Sequence, residues 1–173
     1  KMSSTKNNLV LYEEIDEIAV LTLNRPNQQN ALSSNLMEEL LKKLNDIENN
    51  KNIKVVTIFS SGNNFCAGHD LKELKIDNSE KRFKEIFELC SKLMLKIIKL
   101  PKPVIAGVHG IATAAGCQLV ASCDLAIASN NSQFATPGVN IGLFCSTPMV
   151  AVSRNVNRKN TMEMLLLLSL IHI

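Results

Sequence analysis

The residues of this chain best suited to chemistry lie in Cys66-Ala67-Gly68-His69-Asp70-Leu71-Lys72 and in Ala112-Thr113-Ala114-Ala115-Gly116-Cys117-Gln118. Each is a run of small residues that opens into a helical pattern. A helix start presents unpaired backbone N–H groups and the positive end of the helix dipole. Two such starts aimed at one point make a two-donor cradle for an oxygen that carries negative charge. The cradle needs no particular side chain, only small residues that let a ligand reach the backbone.

The side chains in and around these runs offer fewer options. His69 is on the first loop, and its imidazole could titrate near neutral pH. The reading favoured from sequence gives the role to its amide instead. Asp70 precedes a helical pattern, where a carboxylate caps free N–H groups. His109 and Asp124 stand at strand boundaries and read as structural. The five cysteines are odd in number and form no CxxC pair, which fits free thiols in a reducing compartment. Cys117 or Cys145 would need a neighbouring base to act as a nucleophile, and a small buried thiol is the commoner use. The three histidines lie far apart in the chain, so no zinc site is expected.

With 173 residues, 46% hydrophobic and 20% charged, the chain suits one globular domain with a sizeable core. The net charge of +3 is spread thinly. No dense Lys/Arg block with interleaved aromatics occurs, so nucleic acid is not an expected partner. Lys42, Lys43, Lys51 and Lys54 read as a solvated face. No apolar run reaches the length of a membrane span. The chain starts at Lys1, so a missing targeting peptide carries no information.

The elements that must position the two loops follow from hydrophobic period. Residues 18–23 read as a strand paired with 9–12, and 55–59 as another. Ser34 is expected to cap a helix whose apolar face is Met37, Leu40, Leu41, Leu44 and Ile47. A long helix is predicted over about 79–99, with Phe83, Ile86, Phe87, Cys90, Leu93, Met94 and Ile97 on one face, ended by Pro101 and Pro103. Strands are expected at 104–108 and 125–128, a helix between them over 115–122, loops at Pro137, Gly138 and Gly142, and a last helix from near Asn157. Alternating strands and helices indicate one α/β domain. Residues 1–8 read as a flexible segment and 9–167 as the domain. Residues 168–173, apolar and without a cap or polar exit, read as an aberrant or truncated tail.

Taken together, Leu23-Asn24-Arg25-Pro26 with Asn30-Ala31-Leu32, Phe65 to Leu71, Lys102 to Ala106 with Gly110, Ala114 to Cys117, Cys123 to Ala128, and Phe134 to Pro137 resemble the crotonase superfamily, the enoyl-CoA hydratase/isomerase fold. They occur in family order over roughly residues 9–167. The stretches 67–74 and 112–124 most resemble a mitochondrial branch of it. The resemblance implies a spiral of ββα units, here truncated before the C-terminal helical region that makes trimers. It implies an acyl-CoA thioester ligand in fatty-acid metabolism, with coenzyme A arriving as part of that ligand and no permanently bound cofactor. A homotrimer or hexamer is expected for the full-length protein, and bare apolar surface for a chain lacking that region.

By motif position, the amides of His69 and Ala115 would hold the thioester oxygen. Ala67, His69, Asp70, Leu71 and Lys72 would flank the CoA nucleotide. Lys72 meets a phosphate or is simply solvated. Arg25, Pro26 and Ala31 match the loop that lines the CoA tunnel, and Arg25 is equally readable as a structural turn residue. Hydratases of the family use two glutamates, and the matching positions here hold Gln118 and Gly138. An amide orients water but moves no proton, and glycine offers nothing. Three readings therefore stand: an enolate-stabilising enzyme that recruits other groups, an acyl-CoA-binding or regulatory protein without the chemistry, and an interaction module. The intact small-residue loops weigh against the third.

Overall fold

A computed structural model describes residues 8–167. The segment called flexible, apart from Asn8, and the whole of 168–173 lie outside the described residues. In chain order the elements are β1 (Val10–Ile15), β2 (Ile18–Leu23), α1 (Ser34–Asn49), β3 (Val55–Ser60), α2 (Leu71–Ile76), α3 (Glu80–Lys99), β4 (Val104–Val108), β5 (Ile111–Thr113), α4 (Ala115–Ser122), β6 (Leu125–Ala128), β7 (Gln133–Ala135), α5 (Ser146–Asn155) and α6 (Arg158–Leu166).

β1 and β2 form an antiparallel hairpin, with Val10 opposite Leu23 and Ile15 opposite Ile18. β3 lies parallel to β2, β4 parallel to β3, and β6 parallel to β4, giving the order β1-β2-β3-β4-β6. Parallel neighbours need crossover connections. α1 supplies the first, α2 with α3 the second, and β5 with α4 the third. Alternation along β2 buries Ala19, Leu21 and Leu23 completely, as a two-residue period requires. Leu36, Met37, Leu40 and Leu44 of α1 and Ile86, Leu93 and Ile97 of α3 join the same core. Leu11, Ile15, Ile18, Phe59, Leu125 and Ile127 are exposed. The strand registers put them on the sheet face opposite that core.

Three details differ from the sequence expectation. Ser33, not Ser34, caps α1: its backbone is extended and its hydroxyl accepts the Leu36 N–H. Ser34 is instead the first helical residue, and its N–H donates to Glu73 at 2.8 Å. β5 and β7 pair as a small parallel sheet, and three-residue strands are too short for a period to be legible. α5 was not anticipated either. Pro148 sits in its first turn, where proline is tolerated because the N–H it lacks would have no helical partner.

Candidate functional site

The first loop is built by Phe65 and Cys66, both fully buried, which anchor its entry. Cys66 forms a parallel bridge to Ala112, with its N–H on the Ile111 carbonyl (3.1 Å) and its carbonyl accepting the Thr113 N–H (2.9 Å). Leu32 N–H donates to the Gly68 carbonyl and Asp70 N–H to the Leu32 carbonyl, so His69 is bridged to Leu32 without use of its own N–H. Asp70 then caps α2, as expected, accepting the N–H groups of Lys72 and Glu73.

The second loop turns at Ala114, whose backbone sits at φ 51° and ψ −120°, a region costly for any residue with a Cβ. The Ala114 N–H is held by the Ala135 carbonyl at 2.9 Å. α4 begins at the next residue with no side-chain cap, and Ala115, Gly116 and Cys117 are all buried. A buried helix start without a cap leaves N–H groups in want of an acceptor.

The two loops touch. A Cβ built on Gly68 would lie 2.9 Å from the Ala114 Cβ, 3.0 Å from the Thr113 carbonyl oxygen and 3.3 Å from the Ala115 nitrogen. A Cβ on Gly116 would lie 2.3 Å from the Cys66 carbonyl oxygen. Glycine at both positions is thus what lets the backbones close up. Among the described residues, neither the His69 nor the Ala115 N–H donates to another protein group.

Arg25, Pro26 and Ala31 belong to a loop clamped onto the first. The Arg25 guanidinium donates to the Ala31 carbonyl (2.6 Å) and to Asp70 (2.8 Å), as a largely buried ion pair. Burial alone would raise the Asp70 carboxyl, but the Arg25 hydrogen bond and the Glu73 and Lys72 amides outweigh it and hold it below the usual carboxylate range. Pro26, Ala67, Leu71 and Lys72 are exposed, and Ala31 is buried. Two residues here lie in stretches that carry the resemblance but have no role assigned from sequence. Asn30, fully buried at φ 52°, accepts the Arg25 N–H and donates to the Ser61 and Asn64 carbonyls. Its advance signals are its place in the matching stretch Asn30-Ala31-Leu32 and the tolerance of asparagine for left-handed backbone. Glu73 ties α2 to the start of α1 through the Ser34 N–H and to α3 through Arg82. Nothing local marks it.

Gln118 is buried on α4 and lines a cleft of about 560 Å³ together with Ser91, Met94 and Ile98 of α3 and Thr147 of α5. Gly138 is packed under its own loop: a Cβ there would lie 2.3 Å from the Leu143 carbonyl oxygen and 2.7 Å from the Cys145 sulfur. Burial pushes the Cys66, Cys90, Cys117 and Cys123 thiols up to about 12, which leaves them without thiolate at neutral pH. Among the described residues no cluster of three His, Cys, Asp or Glu side chains could hold a metal ion.

The His69 ring packs edge-on against Phe87, with centroids 5.1 Å apart, and both ring nitrogens are buried without a hydrogen-bond partner among the described residues. Burial lowers its pKa, and the Glu73 carboxylate opposes this only in part. As pH falls, the unfolded chain takes up this proton first. The stability tied to the neutral ring is therefore full above about 6.5 and is lost between there and the lower folded value. The urea midpoint is expected to fall between about pH 7.5 and about pH 5.5, and to fall less in His69→Phe. An equal fall in both proteins would assign the effect elsewhere. Asp70, held low, contributes only in a more acidic window.

Comparison with known proteins follows the same outline. A sequence model of the enoyl-CoA hydratase/isomerase family matches residues 13–172. The chain is 49% identical over 166 residues to enoyl-CoA hydratase domain-containing protein 3, mitochondrial, of Danio rerio, covering 96% of this chain and 57% of that protein. The human protein of the same name is 49% identical over 152 residues, covering 88% and 50%. The crystal structure of human enoyl-CoA hydratase domain-containing protein 3 superposes with a TM-score of 0.90 at 46% identity, over 94% of this chain and 64% of that one. A Mycobacterium smegmatis enoyl-CoA hydratase structure gives 0.91 at 48% identity, over the same shares. The chain spans about half the length of the curated relatives it matches.

Proposed function

Since the chain belongs to the enoyl-CoA hydratase/isomerase family and has its fold, we propose that it binds acyl-CoA thioesters through the amides of His69 and Ala115, and that it does so in the mitochondrion as part of fatty-acid metabolism. The observation that carries this reading is the buried, uncapped start of α4 pressed against the Gly68–His69 turn. Two free N–H groups there suit an oxygen that gains negative charge as a thioester becomes an enolate. The exposed stretch of Ala67, Leu71 and Lys72 suits the CoA moiety. The Arg25–Asp70 pair shapes the loop beside it, with Pro26 and Ala31 on that loop. The names of the mitochondrial relatives support the compartment. For the full-length protein a homotrimer or hexamer is proposed, supported by the apolar sheet face, and sedimentation tests it.

Ordinary hydration is not part of the proposal. Water addition needs a base for the water and an acid for the α-carbon, and Gln118 and Gly138 supply neither. An alternative reading, a catalytically inactive acyl-CoA-binding or regulatory protein, draws on the closed packing over Gly138, which leaves no room for a carboxylate side chain.

Calorimetric titration with crotonyl-CoA, followed by a product screen, tests the proposal. Saturable binding with slow hydration is expected. Gln118→Glu returns one carboxylate at nearly unchanged volume and should raise hydration by up to about 10²-fold, the low end for one positioned acid or base. Gly138→Glu should instead destabilise the chain. Hydratase-like turnover by the unaltered protein would refute the assignment of these two positions, and absence of binding would refute the thioester reading itself.

A further inference from the structure

Among the described residues, three buried side-chain polar atoms lack any hydrogen-bond partner: the two ring nitrogens of His69 and the Oε1 of Gln118. His69 lies on the first loop and Gln118 in the first turn of α4, the helix that Ala115 opens, so all three flank the proposed cradle. Buried polar groups are satisfied as a rule, and an exception in a native fold calls for an explanation. The two side chains also border the same face of α3. His69 packs on Phe87, while Gln118 shares its cleft with Ser91 and Met94, one and two helical turns farther along. Gln118 is 7% exposed.

We propose that the His69 imidazole is the proton-transferring group of this site, acting at the α-carbon of the bound thioester, with the Gln118 carboxamide positioning the acyl part beside it. This rests on the thioester reading above. The other titratable groups near the loops are engaged or unavailable. Cys66 and Cys117 are held as thiols by burial. Asp70 is committed to Arg25 and to the α2 amides. Glu73 is committed to Ser34 and Arg82. An amide transfers no proton. Phe87 from α3 packs against the His69 ring, and the Glu73 carboxylate from α2 is the charge that acts on it. The ring is therefore neutral near pH 7, which is the form a base requires.

In the step, the imidazole takes the α-proton. The C–H electron pair becomes the carbon–carbon double bond of the enolate, and the carbonyl π pair moves onto the oxygen, held by the His69 and Ala115 amides. The imidazolium then returns a proton to the α-carbon. With a 3-enoyl chain it returns the proton to the γ-carbon, which shifts the double bond into conjugation. No atom is gained or lost and no co-reactant is needed. One residue thus serves the oxygen through its backbone and the carbon through its side chain.

Butyryl-CoA incubated in D2O with the full chain tests this, because exchange of its α-protons is read directly by NMR. The unaltered protein should exchange them, and the rate should rise with pH to a plateau with a midpoint below about 6.5. His69→Gln removes the imidazole, so exchange at saturating butyryl-CoA should fall by about 10²-fold or more. Binding without exchange in the unaltered protein, or undiminished exchange in His69→Gln, overturns the proposal. Should His69→Gln not fold, the pH profile of the unaltered protein decides, and a flat profile overturns it. Absence of butyryl-CoA binding removes the thioester reading, and this proposal with it.

Discussion

Asn30→Ala is expected to lower the unfolding free energy by about 3–5 kcal/mol, read as a drop in urea midpoint at unchanged m-value. The Asn30 side chain is wholly buried and serves three backbone groups, the Arg25 N–H at 2.8 Å and the Ser61 and Asn64 carbonyls at 2.7 and 2.9 Å. Alanine strands the Arg25 N–H and the Ser61 carbonyl and leaves the Asn64 carbonyl with only the Ser60 hydroxyl at 3.4 Å, and each unsatisfied buried group costs about 1–3 kcal/mol. Water entering the gap would soften the loss and keep it below the upper end of the summed range. Asparagine also tolerates the left-handed backbone at φ 52° better than alanine does. Gln29 is the internal control. It shares the left-handed backbone but is exposed, with one side-chain bond to Asn64 at 2.5 Å. Gln29→Ala should cost about 1 kcal/mol or less. A loss below that level for Asn30→Ala would show that the loop is held by other contacts. Since this loop carries Arg25 and Ala31, its loosening should also weaken acyl-CoA binding more than Gln29→Ala does.

That the loops are legible in the sequence while the holding role of Asn30 is not shows which information is local. Strands β2 to β4 and helices α1 and α3 were readable because each buries one face, and that face writes its period into the chain. The helix starts after Asp70 and Ala114 were readable because small residues followed by a helical pattern have few other uses. Asn30, Glu73 and the Arg25–Asp70 pair act across 31, 39 and 45 positions, and no window of sequence records such a partner. The role of Arg25 stood open between tunnel lining and turn structure. Its bonds to Ala31 and Asp70 give it structural work whatever else it does. Ser33 and Ser34 differ by one position, and only the backbone angles decide which of them caps. His69 is the instructive case. The sequence allowed its ring a role and favoured its amide, because whether a histidine finds a partner depends on every element that surrounds it. Here Phe87 arrives from α3, and among the described residues no hydrogen-bond partner does.

Gly116→Ala is expected to part the two loops. The added methyl would sit 2.3 Å from the Cys66 carbonyl oxygen and 2.8 Å from the Cys66 Cβ, and neither can swing away. The carbonyl is fixed by the Thr113 N–H at 2.9 Å, and the residue is fully buried. Relief requires α4 to retreat from the first loop, which carries the Ala115 amide away from the His69 amide. Overpacking of this kind costs about 1–3 kcal/mol and sometimes more. The larger effect should fall on ligand binding and α-proton exchange, since loss of one oxyanion donor alone is worth about 10²–10³-fold in rate. Ala114→Gly, two positions earlier, separates sterics from mere change in a small-residue run. It removes a Cβ from backbone at φ 51°, so stability should hold or rise by up to about 1 kcal/mol. Crotonyl-CoA binding should survive in Ala114→Gly and be lost in Gly116→Ala. Equal binding in both proteins would mean that contact between the loops is not what holds the thioester.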